Sequence, residues 1–415
     1  MTDVMMRQLQ RWLVFLVALV CILTSSPVLA QRPAPIYHVT LTHGVTPPAA
    51  RFAGRALQEA VAADASVLVV QIGDGGSVLA AVWSLARELH AAPIPVVIWI
   101  GPGPINGGPA AALLLAAGDT AAMAPGSTTG FAFPLASAPS GFADQTRQLL
   151  IDDIVREVNG WQTEHGRNVD WLERAVRSGA MIDAERARAL DPPLIDLVAA
   201  TFDELQLGLS GRQWVDANGQ TRTLDTVGAQ VVEVAPTALE TLLQLLAVPT
   251  VSFVLFVLGA IAIYLELANP GIGVPGVAGA TLVLAALYGF VQADVRPLAV
   301  VLLAGAVILI GLEHVVMSHG GLSVAGIILL IAGALWLVDP ATTPGSGVAP
   351  IAIGGMTVLL GGAVAALVTL VLRVRKRAPT TGAESMIGQI AEVRRPIDPE
   401  GMVYVQGALW SAWSD

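Results

Sequence analysis

The polarity of the chain changes abruptly near residue 248. Before this point, short runs rich in β-branched residues alternate with amphipathic stretches, and after it apolar runs dominate. The predicted strands are 37–41, 66–72, 95–100, 120–123 and 194–198. The clearest predicted helices are 49–63 and 79–91. Alternating strands and helices indicate parallel strands joined by crossover helices. The pattern predicts an α/β domain over residues 31–240, in which 143–180 forms exposed helix.

Five apolar runs follow, each close to the length of ~20 residues that spans a bilayer. They are 248–268, 274–291, 298–316, 322–338 and 349–372. The last run leads into a basic cluster, Arg373–Arg377, which the positive-inside rule places in the cytoplasm. The sequence therefore predicts a multi-pass membrane domain over 248–372, with a basic juxtamembrane linker at 373–385.

The amino terminus has the pattern of a secretory signal. Arg7 and Arg11 precede an apolar run at 12–23, and Val28-Leu29-Ala30 offers a small-residue cleavage site. Residues 1–30 are predicted to be a signal peptide, with an uncleaved anchor helix as the alternative. An exported domain, five spans and a cytoplasmic carboxyl terminus then form a consistent topology for a protein of the cell (inner) membrane.

The membrane block contains an internal repeat. Glu266, Gly273 and the Val-Ala-Gly at 277–279 recur 47 positions later as Glu313, Gly320 and Val-Ala-Gly at 324–326. A period that holds two helices predicts a parallel duplication of a two-helix unit. Both carboxylates fall near helix ends, where they are either intramembrane functional groups or interfacial residues.

Composition supports a membrane protein and excludes several function classes. Hydrophobic residues make up 54% and charged residues 13% of the chain, too apolar for a wholly soluble protein. The net charge of -10 leaves no basic face for nucleic acid. The one cysteine, Cys21, lies in the predicted signal, which excludes disulfides and thiolate-bound metal from the mature chain. No metal site or cofactor is expected.

Several short motifs rich in glycine and proline punctuate both halves of the chain. They are Ile72-Gly73-Asp74-Gly75-Gly76, Pro95-Val96-Val97-Ile98, 123–130 (MAPGSTTG), His165-Gly166-Arg167-Asn168, 194–199 (LIDLVA), Asn269-Pro270-Gly271 with Val274-Pro275-Gly276, Asp398-Pro399-Glu400-Gly401, and Gly407-Ala408-Leu409-Trp410. In this order and with this topology, the chain resembles the long-form NfeD proteins, in which the exported domain looks like the proteolytic subunit of Clp protease, a crotonase-type α/β fold. The resemblance implies a partial OB-like β tail over 386–415, where alternating apolar positions predict a β-meander.

The same resemblance implies a serine nucleophile with a lysine base, and both positions are altered here. Matched to the family motifs, the serine position is Pro109 and the lysine position is Asn159. No serine or threonine occurs from 101 to 118, and Lys376 is the single lysine of the chain. Backbone N–H groups at Gly75 and Gly76 could still hold an oxyanion, although a tight turn is the alternative explanation.

Substitute groups exist, but ordinary structural roles are favoured for each. Ser77, Ser127 and Ser140 are possible nucleophiles, and His90 and His165 possible bases, which we otherwise expect to be turn serines and solvated helix ends. The interpretation is a pseudoprotease that acts as a membrane scaffold or binding module, with the stomatin-like partners of the family, and as a homo-oligomer. The alternatives are an active serine endopeptidase and a small-solute transporter that uses Glu266 and Glu313.

Overall fold

The protein is described by a computed structural model that covers most of the chain. The described residues are 33–73, 76–133, 144–215, 220–268, 273–316, 320–338, 347–375 and 386–414, with the single positions 12, 15, 271 and 318. They form two compact units. The first unit contains the described residues up to 252, together with 285–296, 336–338 and 347–348. The second unit contains the other described residues from 253 onward. Most of the predicted signal peptide and of the predicted linker lies outside the described residues, and the predicted topology stays a prediction.

The first unit is built on a six-stranded, wholly parallel sheet. Its strands, in the spatial order β10-β1-β2-β3-β4-β7, are Val231–Glu233, Ile36–Leu41, Val67–Ile72, Val96–Ile100, Thr120–Met123 and Leu197–Val198. Two small antiparallel pairs accompany it: β5 (Thr128–Phe131) with β6 (Ala180–Asp183), and β8 (Gln213–Val215) with β9 (Thr221–Thr223). The predicted α/β fold is confirmed, and β10 is an edge strand that the sequence pattern did not reveal.

Helices cover both faces of the sheet because alternate strand residues point to opposite sides. On one face Leu68, Val70 and Ile98 pack in the larger core. On the other, Val69 and Trp99 pack with a smaller cluster. The helices of this unit are α1 (Pro47–Ala62), α2 (Leu79–His90), α3 (Gly108–Ala117), α4 (Asp144–Glu164), α5 (Val169–Ser178), α6 (Ala184–Ala189), α7 (Phe202–Leu209) and α8 (Ala238–Leu246).

The stretch 143–180 was predicted as exposed helix, and this prediction is wrong in one respect. It folds as α4 and α5, and apolar side chains of both helices, including Ile154, Val158 and Leu172, are buried in the larger core. The two helices are amphipathic, so polar residues on the outer face conceal the apolar stripe when the sequence is averaged. Gly166, at φ +64°, ends the turn between them, and Asn168 caps α5 by accepting from the Trp171 N–H.

Arg167 is a buried cation that ties several elements together. Its guanidinium donates to the carbonyl oxygens of Leu115 at 2.7 Å and Asp119 at 2.8 Å, and to Asp196 Oδ2 at 2.7 Å. Asp196 in turn accepts from the Ala121 N–H at the start of β4. The predicted His-Gly-Arg-Asn motif therefore has a structural explanation in this fold.

The five predicted apolar runs are all helical. They form α9 (Pro249–Ala268), α10 (Val274–Gln292), α11 (Pro297–Val316), α12 (Gly321–Trp336) and α13 (Pro350–Arg375). Within the residues described, two of them, α9 and α10, are long and apolar enough to cross a membrane. This supports a membrane domain, while the number of spans stays a prediction.

Close helix crossings repeat with the predicted period of 47 residues. A Cβ atom on Gly279 would lie 2.7 Å from the Gly259 carbonyl oxygen and 2.8 Å from the Ile263 side chain. At the equivalent positions, a Cβ on Gly326 would lie 2.8 Å from the Ala306 carbonyl oxygen and 2.7 Å from the Ile310 side chain. Small residues permit this approach between membrane helices. The α9–α10 and α11–α12 hairpins therefore share one packing arrangement, as a duplication predicts.

The tail forms the predicted β-meander. Strands β11 (Glu392–Arg395), β12 (Glu400–Val405) and β13 (Ala408–Trp413) pair antiparallel in that order. The turn between β12 and β13 has positive φ at Gln406 and Gly407, the geometry of a tight hairpin. Three strands do not form a closed barrel, so the OB-like class of this tail stays a prediction.

We expect Arg167→Met to lower the free energy of unfolding by about 3–5 kcal/mol, because it leaves buried acceptors without their cation. The matched control is Arg174→Met, at an exposed position on α5, which should change stability by no more than ~0.5 kcal/mol. Urea unfolding of the full chain in detergent, followed by tryptophan fluorescence, measures both. Equal effects of the two substitutions would contradict a structural role for the buried charge.

Candidate functional site

The candidate site is the loop over residues 101–107, which joins the carboxyl end of β3 to α3, together with Pro109 just after it. We call this segment the Pro109 loop. Pro109 lies in the first turn of α3, and Gly108 before it has φ +57°. Ligands of open α/β sheets generally bind beyond the carboxyl ends of the strands. Pro109, which the family resemblance places at the serine position, therefore lies at a suitable place in the fold, but its pyrrolidine ring supplies neither a hydroxyl nor an N–H.

Ser127 is buried and holds this loop in place. Its hydroxyl donates to the Gly103 carbonyl oxygen at 2.7 Å and accepts from the Ile105 N–H at 3.1 Å. Neighbouring backbone bonds continue the contact, since the Thr128 N–H donates to Ile105 and the Gly107 N–H donates to Thr128. A hydroxyl fixed in this way serves loop packing, so the geometry favours the structural explanation of Ser127.

The other small residues proposed for chemistry lie in the loop between β2 and α2. The Ser77 hydroxyl accepts from the Val45 N–H at 3.0 Å, which joins this loop to the start of α1. Gly76 is part of the same loop. Gly75 and Ser140 lie outside the described residues, so an oxyanion site at Gly75 and Gly76 stays a prediction.

Asn159, which the family resemblance places at the lysine position, faces α5. Its Nδ2 donates to Glu173 at 3.1 Å. Two residues further on, the Trp161 ring lies 5.0 Å from His90, whose Nδ1 is 3.3 Å from the Ala117 carbonyl oxygen. These contacts place this part of α4 near the end of α3, whereas Pro109 is about 12 Å earlier along the axis of α3.

The partner of Asn159 is a carboxylate, Glu173, that favours its ionised form. Hydrogen bonds from Arg177 and from Asn159 hold the pKa of Glu173 below its usual range. A cation placed at 159 would therefore find an ionised carboxylate beside it, which favours the charged form of a lysine. This setting is the reverse of the neutral lysine that a serine–lysine mechanism requires.

His90 and His165 are partly buried rather than solvated helix ends, which corrects the sequence interpretation. Their rings meet edge to face with centroids 5.9 Å apart. Burial lowers the pKa of His165 to about 4, and the positive charge of Arg167 adds to the effect. His165 is therefore neutral near pH 7, but the pair lies at the far end of α3 from Pro109.

The charged cluster around Arg167 is the feature that sequence reasoning missed. Asp119 accepts from the Val96 N–H at 2.8 Å and from Trp214 Nε1 at 3.2 Å. Burial raises the pKa of Asp119 and lowers that of Arg167. These groups lie where β3 and β4 begin, whereas the Pro109 loop lies at the opposite end of the strands, where β3 ends. In the part of the chain that the structure describes, no cluster of three His, Cys, Asp or Glu side chains is arranged to hold a metal.

Glu266 and Glu313, the two carboxylates of the apolar helices, accept equivalent hydrogen bonds in the two hairpins. Glu266 accepts from the Gly273 N–H at 2.9 Å, and Glu313 accepts from the Gly320 N–H at 2.9 Å, in both cases seven residues later. Glu313 accepts further bonds from the Ser318 hydroxyl and from the first N–H groups of α12. Each carboxylate thus satisfies donors at the start of the next helix, where negative charge is favoured. This geometry explains both residues without a transported solute.

Comparison with known proteins identifies relatives along nearly the whole chain. Residues 250–374 match the NfeD integral membrane domain family. A membrane-bound protease of Pyrococcus horikoshii is 25% identical over 97% of this chain and 92% of its own. The membrane protein NfeD1b of Bacillus subtilis is 24% identical over 72% of this chain, which spans 65% of that relative. The predicted resemblance to NfeD proteins is confirmed.

The α/β domain also matches solved structures. One is a lysine-to-alanine mutant of a membrane-bound stomatin-specific protease in complex with a substrate peptide, with a TM-score of 0.46 and 19% identity, covering 51% of this chain and 97% of that one. Another is a membrane protease specific for a stomatin homolog from Pyrococcus horikoshii, with a TM-score of 0.43 and 20% identity, covering 51% and 96%.

The neutral His165 makes a testable contribution to the pH dependence of stability. In the unfolded chain a histidine binds a proton near pH ~6.5, whereas in the fold the pKa of His165 is about 4. Between these values the unfolded state binds more protons, so stability falls as the pH drops from about 6.5 to 4. The ring is partly exposed, so we expect a loss on the order of 1–3 kcal/mol from this group.

His165→Gln should therefore flatten the decline in stability between pH 7 and 4. His43→Gln, at an exposed histidine, is the matched control and should leave the decline unchanged. Urea titrations of the full chain in detergent at several pH values provide the comparison. A decline as steep in His165→Gln as in the wild type would show that His165 is not buried in its neutral form.

Proposed function

Taking the chain as an NfeD-type membrane protein whose α/β domain has a protease-like fold, we propose that this domain binds peptide segments without hydrolysing them. The domain would present segments of a membrane partner to the Pro109 loop, while the apolar helices retain the protein in the bilayer. The observation that carries the proposal is Pro109 in the first turn of α3, at the position where the family resemblance implies a nucleophile.

The residues that could replace the missing serine support a non-hydrolytic domain. The Ser127 and Ser77 hydroxyls are engaged in backbone hydrogen bonds that hold loops together. An activated nucleophile needs a base within hydrogen-bonding reach, and the nearby backbone groups of these serines are not bases. The neutral His165 lies near the other end of α3, so it cannot serve as a base for Ser127 or Ser77.

Apolar side chains beside the loop favour an apolar peptide as the bound ligand. Phe133 and Met181 are 50% and 39% exposed, and they lie at or just beyond the β5–β6 pair. That pair begins at Thr128, which is hydrogen-bonded to the Pro109 loop through Ile105 and Gly107. Exposed apolar groups next to a loop at the carboxyl sheet edge suit the recognition of a hydrophobic segment.

A stomatin-like membrane protein is the proposed partner. The relative of Pyrococcus horikoshii, which aligns over nearly the whole chain, is a membrane-bound protease. A solved protease from the same organism is specific for a stomatin homolog. We propose that the present chain kept the partner and lost the cleavage, so that it holds a stomatin-like protein rather than processing it.

We expect a fluorophosphonate probe to leave the full chain unlabelled in detergent or in nanodiscs, because the Ser77 and Ser127 hydroxyls are held by backbone groups rather than by a base. Pro109→Ser alone should also remain unlabelled, since a hydroxyl without a base is a weak nucleophile. Pro109→Ser with Asn159→Lys, the pair that the family resemblance indicates, should stay unlabelled as well, because Glu173 would keep that lysine charged. Labelling of the double variant would show that residue 159 faces residue 109 after all, and wild-type labelling lost in Ser127→Ala would restore the hydrolase hypothesis.

Binding can be measured directly with a fluorescent apolar peptide taken from the sequence of a stomatin-like protein. We expect the full chain in nanodiscs to raise its fluorescence anisotropy, without any change in peptide length by mass spectrometry. Met181→Glu should weaken binding by about tenfold, equivalent to ~1.4 kcal/mol. Leu207→Glu, at an exposed leucine of α7, is the matched control. Equal affinity of the two variants would exclude the β5–β6 surface, and a shortened peptide would contradict the absence of hydrolysis.

A further inference from the structure

Helix α8 carries an exposed stripe of leucines immediately before the membrane domain. Leu239, Leu242 and Leu245 are 64%, 51% and 45% exposed. Their spacing of three residues confines them to an arc of about 120° on one side of the helix. Three large apolar side chains in one stripe form a continuous apolar face, which on a soluble protein indicates a contact surface.

The opposite side of α8 is fixed to the α/β domain. Arg55 of α1 donates through Nε and Nη2 to the two carboxylate oxygens of Glu240, at 2.8 and 2.7 Å, and also to the Ala235 carbonyl oxygen. Glu240 completes a capping box with Thr237 at the start of the helix. The hydrogen bond from Arg55 holds the pKa of Glu240 at about 2, so this pairing persists at any physiological pH. A bidentate pair of this kind sets the rotation of α8, and with it the direction of the leucines.

The chain itself indicates what covers the stripe. Only Ala247 and Val248 separate the end of α8 from Pro249, the first residue of the candidate span α9. The connection is well ordered, because the Ala247 N–H donates to Leu243 and Gln244 and the Ser252 hydroxyl bonds the Leu246 carbonyl. Given that α9 enters a bilayer, α8 ends within a few residues of its surface. An apolar stripe at that depth meets the boundary between lipid headgroups and acyl chains.

We propose that α8 is an interfacial helix, which lies in the bilayer surface with Leu239, Leu242 and Leu245 in the lipid and Glu240 clamped to the α/β domain by Arg55. The helix differs from the usual interfacial helix, whose polar face is solvated or binds anionic headgroups. Here the polar face is used by the protein, so the helix joins the domain to the membrane surface. This inference is independent of whether the Pro109 loop binds peptides.

The test uses the full chain with Cys21→Ser, reconstituted in phosphatidylcholine vesicles. A nitrobenzoxadiazole fluorophore is attached at Leu242→Cys, and its quenching is compared in vesicles with and without doxyl-labelled lipid. We expect the label at 242 to be quenched several-fold more than the same label at Leu207→Cys, an exposed leucine on α7, or at Arg174→Cys on α5. Quenching by lipid requires contact with acyl chains, so it separates the bilayer from other partners.

Each remaining outcome contradicts the proposal. An emission spectrum of the label at 242 that matches the spectrum of the label at 174 would show that water covers the leucines. A blue-shifted emission without lipid quenching would show that another protein surface, such as a second copy of the chain, covers the leucines. Labels at Leu239→Cys and Leu245→Cys repeat the measurement, so that a local disturbance at 242 cannot decide the result. Circular dichroism of each labelled variant confirms that its helical content is retained.

Discussion

The burial of the Arg167 guanidinium is the constraint on which the α/β domain depends. A guanidinium away from water is costly unless its donors are all directed to acceptors, and here the Asp196 carboxylate and the carbonyls of Leu115 and Asp119 accept from it. Those acceptors belong to the end of α3, the start of β4 and the segment before β7. The cation therefore fixes where α3 ends against the sheet, and through α3 it also fixes the other end of that helix, where Pro109 lies. The position of the candidate site is thus maintained by charges at the far edge of the sheet.

Under the proposed loss of a nucleophile, this separation would allow the fold to persist. The polar groups that stabilise the domain, including Arg167, Asp196 and Asp119, lie where the strands begin, while the Pro109 loop lies where β3 ends. Proline in the first turn of a helix is favourable because its fixed φ suits that position and its missing N–H is not needed there. A proline at 109 in place of the hydroxyl that the family resemblance implies would therefore cost little stability, whereas a change at 167 would affect the whole core.

The strands and the membrane helices were predictable because the polarity of their own residues indicates whether each segment is buried or apolar all round. The runs at 67–72 and 96–100 are almost wholly buried and rich in β-branched residues. The apolar runs after 248 have the length of spanning helices, which satisfy their backbone polar groups internally. Less was predictable where the environment is assembled from distant segments. The edge strand β10 has only three residues and pairs with β1, which is nearly 200 positions earlier. The partners of Arg167 and the contact of Asn159 with Glu173 are likewise long-range or inter-helix contacts, so local sequence patterns carry no signal for them.

The repeated carboxylates show how one local device can shape a membrane domain. Glu266 and Glu313 each accept from the N–H of a glycine seven residues later, and the following helix of each hairpin then crosses its partner at a glycine, 279 or 326. The carboxylate satisfies donors that lipid cannot satisfy, and the positive φ of Gly273 and Gly320 turns the chain so that they reach it. The interval of seven residues and the small residue at the crossing are both needed, because the first sets the turn and the second sets the distance between helices. A change that kept the charge but shifted it by one position would direct the carboxylate away from the turn, which is why the two features recur together 47 residues apart.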